Sequence, residues 1–161
     1  MVRLPRGSAS NHSMVLIMPS SGETSSGPRI QRIGAYAVCL ADGGSILLSR
    51  YTSGTWTLPG GGVEHGEHPE EAVIRELAEE TGYAARVRNL IGIHSNTWTT
   101  LAGQRVHSVN VMYRVEIVDG ELRYEVDGTS DMAAWVSRDQ LTRYAHTKIV
   151  DVALKQTTDW H

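Results

Sequence analysis

The feature that most constrains this chain is a glycine-rich loop followed at once by an acidic helix, over residues 61–83. Pro69 suits the first position of a helix, where its missing N–H would have no partner in any case. Gly82 stands where a residue in the left-handed conformation would end that helix. The stretch therefore predicts a helix that begins at Pro69 and ends before Gly82.

Apolar side chains recur along this predicted helix at the 3.6-residue period, which indicates one face for burial. The members of that face are Val73, Ile74, Leu77, Ala78 and Thr81.

Three glutamates, Glu76, Glu79 and Glu80, are neighbours on the other side of the helix, at positions i, i+3 and i+4. Neighbouring carboxylates repel one another, and a bound divalent cation would remove that repulsion. An ordinary solvated acidic face is the alternative interpretation, but this face carries no lysine and Arg75 is the only cation of the helix. Hard oxygen ligands suit Mg²⁺ or Mn²⁺, so the pattern favours a metal site.

The preceding loop contains three consecutive glycines, Gly60, Gly61 and Gly62. Glycine permits backbone conformations that are closed to other residues and lets main-chain groups approach a ligand closely. A glycine run alone would indicate only a turn. A glycine run followed by a carboxylate face indicates a site for phosphate and metal.

The same stretch matches the Nudix box, G-x5-E-x7-R-E-U-x-E-E-x-G-U, where U is a bulky aliphatic residue. The matching residues are Gly61, Glu67, Arg75, Glu76, Glu79, Glu80 and Gly82. Leu77 fills the first U position, and the aromatic Tyr83 occupies the second. The chain therefore resembles the MutT-like Nudix hydrolases, which cleave nucleoside diphosphates linked to another group. The resemblance spans residues 30–155 and implies an α/β fold, an α/β/α sandwich with a mixed sheet.

The resemblance also implies roles for individual residues. Glu76, Glu79 and Glu80 would bind Mg²⁺, with Mn²⁺ as a substitute, and a carbonyl at Gly60 or Gly61 would be a further ligand. Glu67 and Arg75, which also belong to the predicted catalytic set, would brace the loop against the helix.

The general base is left open by the spacing, because Nudix hydrolases differ in which carboxylate they use. Glu76 is the candidate inside the box, and Glu125, Asp127 and Asp131 are the candidates outside it. An exposed aspartate in a loop is more often only a turn residue.

Residues outside the box are candidates for contact with the substrate. Arg50 and Asp131 stand where related enzymes contact substrate or carry an acid, although Arg50 is equally typical of a solvated strand end. Trp98 and Tyr36 offer aromatic faces on which a base could stack, and ordinary packing is the alternative for both rings.

Composition excludes several classes of protein. The net charge of −3 gives no broad basic surface for duplex nucleic acid, and no apolar run approaches the roughly 18 residues of a membrane-spanning helix. Cys39 is the single cysteine, so an internal disulfide and a cysteine-based zinc site are excluded. We expect a cytoplasmic protein whose partner is a small nucleotide, with a homodimer as the protein association to consider.

The chain divides into an arm and one domain. Residues 1–29 are rich in Ser, Gly and Pro, which predicts a flexible N-terminal arm, and Pro5-Arg6-Gly7-Ser8 resembles the remnant of a cleaved purification tag. Residues 30–161 form the predicted Nudix domain.

Periodicity and turn residues predict the other elements. Ala41-Asp42-Gly43-Gly44 indicates a hairpin, and Ser137 with Gln140 indicates a capping box at a helix start. Loops are predicted at 50–54, 96–104 and 127–131, with a turn at 119–120. The predicted strands are 32–40, 45–49, 56–58, 85–94, 106–118, 121–125 and 132–136, and a last helix covers 148–155.

The expected reaction is Mg²⁺-dependent hydrolysis of a diphosphate linkage, with a nucleoside triphosphate or a nucleotide sugar as substrate. Trp98 and Thr99 stand where many ADP-ribose hydrolases carry a proline. The alternative is a Nudix-fold binding or regulatory domain without catalysis, but such domains tend to lose the metal-binding glutamates. An isomerase of isopentenyl diphosphate is disfavoured because Cys39 lies in an early apolar strand.

Overall fold

Two four-stranded sheets and three helices make up the part of the chain that the computed structural model describes, residues 27–123 and 130–157. The strands are β1 (Arg29–Val38), β2 (Leu40–Ala41), β3 (Ser45–Tyr51), β4 (Trp56–Thr57), β5 (Gly60–Gly62), β6 (Tyr83–Thr99), β7 (Arg105–Gly120) and β8 (Ser130–Ser137). The helices are α1 (Pro69–Thr81), α2 (Arg138–Leu141) and α3 (Lys148–Gln156).

The larger sheet is mixed and has the strand order β5-β1-β7-β6. Strands β1 and β7 run parallel, whereas β5 and β6 pair antiparallel with their neighbours. In the other sheet β3 pairs antiparallel with β2, β4 and β8. The predicted α/β class with a mixed sheet is confirmed, and the antiparallel sheet was not predicted.

Two apolar clusters lie on opposite sides of β1. Ala35 and Ala37 pack with Leu77 of α1, whereas Val38 packs with Val150 of α3. Strand β3 also contributes to both clusters, because successive side chains point to opposite faces of a strand. Burial on both faces explains why β1 reads as a nearly continuous apolar run after its first residues, and it gives the layered arrangement of helix, sheet and helix.

Helix α1 has both predicted ends, and its start carries a cap that was not predicted. The His68 side chain accepts a hydrogen bond from the backbone N–H of Glu70, and the Glu71 carboxylate accepts one from the His68 N–H. Gly82 has φ 74°, and its N–H donates to the carbonyl of Ala78. These bonds satisfy groups that a helix end otherwise leaves without partners.

The buried face of α1 is rotated relative to the prediction. It consists of Ala72, Val73, Leu77, Glu80 and Thr81. Ala78 is exposed and Ile74 is half-buried, so the inclusion of Ala78 was wrong. Periodicity had placed Glu80 on the solvent side. The buried face is rotated because Glu80 is buried, where it accepts hydrogen bonds from Ser49 on β3 and from the Gly60 N–H on β5.

Strand β6 is longer than predicted and reaches Thr99, so the expected loop begins only at Thr100. Trp98 pairs with Val106 and Thr99 with Arg105 in the ladder. The polar residues at this end of β6 resemble a loop in sequence because the strand forms an edge of the sheet, where polar side chains face solvent.

The region after β7 also differs from the prediction. Asp119 and Gly120 are not a turn but the last paired residues of β7, opposite Ala84 and Tyr83. Residues 121–123 are not in a strand, and Asp131 belongs to β8 and not to a loop. The ladder continues because Tyr83 leaves α1 directly into β6 and offers partners to the end of β7.

Other predictions fall partly or wholly outside the described residues. These include most of the N-terminal arm, the 124–125 end of a predicted strand, Glu125 and Asp127, and residues 158–161. The hairpin at 41–44, the capping box of Ser137 and Gln140, and the last helix are confirmed. None of the described helices is long and apolar enough to cross a membrane.

Gly60 offers a test of how closely β5 must approach β1. It has φ 143°, and an added Cβ would lie 2.2 Å from the carbonyl oxygen of Ala35. Gly43 has φ 94° but open space around its Cβ position, which makes it a matched control. We expect Gly43→Ala to lower the free energy of unfolding by roughly 1–2 kcal/mol for its φ alone. We expect Gly60→Ala to lower it by roughly 2–5 kcal/mol, because overpacking adds to the same cost. Urea denaturation of both variants measures this, and equal losses would contradict the steric role of β5.

Candidate active site

The glycine strand β5 lies directly against a carboxylate of α1. A Cβ at Gly61 would come within 2.6 Å of the Glu76 carboxyl group, so a larger residue there would require that carboxyl to move. Glu76 is half-buried, and this burial raises the pKa of its carboxyl, an effect that the neighbouring Arg75 partly opposes. The predicted loop and the predicted acidic helix therefore meet at Gly61 and Glu76.

Glu80 is the most buried of the three glutamates, with 6% of its surface exposed. Its Oε2 accepts a hydrogen bond from Ser49 Oγ at 2.8 Å and another from the Gly60 N–H at 3.1 Å. These bonds fix the carboxylate between α1, β3 and β5. The sequence analysis did not identify Ser49, whose only signal is a small polar residue inside an apolar strand.

Arg75 connects the loop to the helix through most of its donors. Its Nε and Nη2 donate to the two oxygens of Glu67 at 2.8 and 2.9 Å, a forked arrangement. Nη2 also donates to the carbonyl of Gly62 at 3.2 Å, and Nη1 donates to Glu76 Oε1 at 2.9 Å. The guanidinium thus holds the loop residue Glu67 and the β5 backbone beside Glu76.

Glu79 differs from the other two glutamates because about half of its side chain, 53%, is exposed. Within residues 27–123 and 130–157 it forms one ion pair, a 3.4 Å contact with Arg75 Nη1. The three carboxylates that the sequence places side by side therefore have buried, half-buried and exposed environments.

The donor set of this site fits a hard divalent cation. In residues 27–123 and 130–157, no three acidic, histidine or cysteine side chains converge into a ready-made cage. Mg²⁺ does not need one, because it binds through one or two carboxylates and keeps waters and substrate phosphates as its other ligands. The contact of the β5 backbone with the Glu76 carboxyl puts main-chain and carboxylate oxygens on one small surface.

The two predicted substrate residues bind each other. Arg50 Nε donates to Asp131 Oδ1 at 2.9 Å, and Arg50 Nη2 donates to Asp131 Oδ2 at 3.1 Å. The guanidinium also lies over the ring of Trp56, 5.8 Å from its centroid. The hydrogen bonds from Arg50 lower the pKa of Asp131. Their roles toward a substrate stay predictions.

The two aromatic candidates lie in different settings. Tyr36 is half-buried against the apolar cluster that contains Met112, and burial raises the pKa of its phenol. Trp98 is also half-buried, on the edge strand β6. The Tyr36 ring lies beside the β5 backbone, since its Cδ1 is 2.9 Å from the position that a Cβ on Gly60 would occupy.

The pairing of Glu67 with Arg75 predicts how stability depends on pH. The hydrogen bonds from Arg75, and a further one from the Glu64 N–H, lower the pKa of Glu67 from 4.5 to about 2. A carboxylate with a depressed pKa stabilises the fold fully above its unfolded pKa and loses that effect as the pH falls to its folded pKa. We therefore expect Glu67→Gln to lower Tm at pH 7, with a deficit that shrinks below about pH 4.5 and vanishes near pH 2.

Calorimetric Tm values of the wild type and this variant across the pH range provide the measurement. Glu64→Gln is the control, since only the backbone of Glu64 takes part in the cluster. A Glu67→Gln deficit that is constant with pH would show that the ion pair does not stabilise the fold.

Comparison with known proteins adds independent support. The model of the NUDIX domain matches residues 30–157. A MutT-like protein of Streptomyces ambofaciens is 32% identical over 129 residues, which cover 80% of this chain and 78% of that protein. The nucleoside triphosphatase NudI of Escherichia coli is 32% identical over 127 residues, covering 73% of this chain and 83% of that enzyme.

The fold has relatives among solved structures. The crystal structure of a MutT NUDIX hydrolase from Burkholderia pseudomallei superimposes with a TM-score of 0.63 at 27% identity. The superposition covers 80% of this chain and 99% of that one. The resemblance inferred from the box is thereby confirmed: this chain belongs to the Nudix family and is a pyrophosphohydrolase.

Proposed function

We propose that this protein hydrolyses a nucleoside triphosphate at a diphosphate linkage and depends on Mg²⁺, with Mn²⁺ as a substitute. The observation that carries the proposal is the contact between the β5 glycines and two carboxylates of α1. Gly61 leaves room for the Glu76 carboxyl, and the Gly60 N–H holds Glu80. A surface of backbone and carboxylate oxygens suits a cation that carries phosphate.

Four groups would hold the metal in this proposal, namely the carboxylates of Glu76, Glu79 and Glu80 and the carbonyl of Gly61. A bound Mg²⁺ screens the phosphate charge and lowers the pKa of a coordinated water.

The chain's own residues have the remaining tasks. Glu80 is fixed by Ser49 and Gly60, so its position needs no rearrangement when substrate binds. Arg75 holds Glu67 and the β5 backbone in place from the other side. A site held in this way keeps its geometry during the reaction, which is the main source of electrostatic stabilisation in enzymes.

Glu76 is our proposed general base. It lies half-buried against the β5 backbone, where a substrate phosphate would be bound. Asp131, the described candidate outside the box, is held by two hydrogen bonds from Arg50. Both oxygens of Asp131 are therefore engaged by an arginine, whereas Arg75 binds only Oε1 of Glu76 among the described residues.

A triphosphate is preferred over a nucleotide sugar because the Escherichia coli relative that covers most of this chain is named a nucleoside triphosphatase. The rival proposal of a non-catalytic binding domain is opposed by the presence of all three glutamates at the site. A cytoplasmic location, a small nucleotide as partner, and a homodimer belong to the same proposal.

Substitution of the exposed Glu79 tests the metal role with little risk to the fold. We expect Glu79→Gln to lower kcat by about 10²-fold or more, because a transition state that gathers negative charge loses an anionic metal ligand. Glu70→Gln, an exposed glutamate in the first turn of the same helix, is the matched control. Phosphate and pyrophosphate release from ATP, GTP, CTP, UTP, ADP-ribose and UDP-glucose is measured with Mg²⁺ and with Mn²⁺. Activity that survives chelation, or an unchanged Glu79→Gln enzyme, would refute the metal role.

The base is tested by comparing Glu76→Gln with Asp131→Asn. If Glu76 is the base, Glu76→Gln flattens the acidic limb of the kcat/KM–pH profile while Mn²⁺ binding falls only modestly. In that case the Asp131→Asn enzyme retains the acidic limb of the kcat/KM–pH profile. Mn²⁺ binding followed by electron paramagnetic resonance separates loss of metal from loss of the base. An Asp131→Asn enzyme that binds Mn²⁺ but is inactive would transfer the role to Asp131.

A further inference from the structure

A cavity of about 590 Å³ opens where the two sheets separate. The pairing of β1 with β7 ends at Val38 and Arg114, after which the chain passes to β2 in the other sheet. This end cavity therefore lies at the end of the β1–β7 ladder, and the described residues that line it are 39–42, Tyr83, Arg88, 114–117 and Trp135. None of them belongs to the glycine strand β5 or to the acidic face of α1.

Arg114 brings to the end cavity a positive charge that is only partly hydrated. Its Nη1 is sealed from solvent without a hydrogen-bond partner, and its side chain forms no salt bridge in the part of the chain that the structure describes. Arginine stays protonated in proteins, and a buried charge is costly unless it is paired. Burial raises the pKa of the neighbouring Cys39 thiol to about 12, an effect that the Arg114 charge partly opposes, so the thiol is neutral at neutral pH. Arg114 therefore favours an anion in the space beside it.

The acidic side chains that line the end cavity do not supply this anion. Glu116 is bound by two arginines of β6, at 2.7 Å from Arg86 Nε and 2.5 Å from Arg88 Nε. Asp42 is exposed in the hairpin, and no ion pair joins it to Arg114. Three arginines thus stand against two acids here, which leaves the surroundings of the cavity positive.

Two aromatic rings form an apolar wall of the end cavity. Tyr83 stands where the box pattern has a bulky aliphatic residue, so its ring is a departure of this chain from that pattern. Trp135 Nε1 donates to the Tyr83 hydroxyl at 3.2 Å, and the two ring centroids lie 6.4 Å apart. This hydrogen bond holds the half-buried rings in one arrangement. With Val115 and Ile117, they give the cavity an apolar surface as well as the charge of Arg114.

We propose that the end cavity binds a small organic anion, with its charged group at Arg114 and its apolar body against the rings of Tyr83 and Trp135. The charged group is a carboxylate or a phosphate, because the planar guanidinium matches the oxygens of both. A volume of about 590 Å³ is typical of small-molecule sites, which combine apolar walls with a few polar groups. Binding at this cavity requires neither the metal nor the hydrolysis of the proposed function.

Binding is measured on the full chain without metal, from the indole N–H signal of Trp135 in proton–nitrogen correlation spectra. Loss of that signal in Trp135→Phe assigns it. Benzoate and phenyl phosphate are the anionic probes, and benzamide is the neutral isostere of benzoate. We expect at least one anion to bind about tenfold more tightly than benzamide, as for a hydrogen bond to a charged group. The tighter anion identifies the charged group.

Two results with the wild type would overturn the proposal. One is a benzamide affinity equal to that of both anions, and the other is the absence of a saturable shift of the Trp135 signal with either anion. Both results are independent of whether the protein hydrolyses a nucleotide.

Arg114→Met tests the cation, because methionine keeps an unbranched side chain without the charge. We expect the tighter anion to bind about tenfold more weakly, with benzamide unchanged. Arg105→Met is the matched control, since Arg105 is an exposed arginine on the same strand. Wild-type affinity for the anion in Arg114→Met would overturn the role of Arg114. If Arg114→Met does not fold, the comparison of the anions with benzamide in the wild type still decides the proposal.

Tyr83→Leu tests the apolar wall, because it restores the aliphatic residue of the box pattern and removes the hydroxyl that binds Trp135. We expect the anions and benzamide to bind about threefold more weakly, since all three probes share the aromatic contact. Unchanged affinity for all three probes would show that the ligand does not lie against these rings.

Discussion

The close contact between the β5 backbone and helix α1 is the constraint on which the rest of the site depends. Gly60 and Gly61 have no Cβ, so the strand can lie against β1 on one side and against the Glu76 carboxyl on the other. The same approach brings the Gly60 N–H to Glu80. A side chain at Gly61 would require the Glu76 carboxyl to move from its place beside β5.

The three glutamates around this contact differ in the donors that they bind. Arg75 is held by the fork with Glu67 and by Gly62, and it compensates part of the negative charge at Glu76 and Glu79. Glu80 accepts hydrogen bonds from two neutral donors, the Ser49 hydroxyl and the Gly60 N–H. The site therefore retains more negative charge than its cation offsets, which favours a divalent ion and disfavours a closed network of ion pairs.

Two arginines, Arg50 and Arg32, illustrate why sequence position is a weak guide to the surroundings of a side chain. Arg50 was expected in a loop just after an apolar strand, but β3 continues to Tyr51, and its pairing with β8 brings Asp131 to Arg50. Arg32 lies in the first, largely exposed part of β1 and has no distinguishing sequence feature, yet the register of β1 with β5 and β7 sets it between Gly62 and Ser108. In both arginines, strands that are distant in sequence supply the neighbouring residues.

The sequence by itself determined the local features: the ends of α1, the hairpin at 41–44, the capping box at Ser137, and the spacing of the box that identifies the family. These follow from neighbours within a few residues, through turn chemistry, capping and helical periodicity. Only the tertiary structure decided that Glu80 is buried on Ser49, which is 31 residues away, and that Arg50 is held by Asp131, 81 residues away. Periodicity shows which side of a helix is apolar. A polar residue such as Glu80 is buried only when distant strands supply its hydrogen bonds. The pairing of those strands cannot be inferred from neighbouring residues in the sequence.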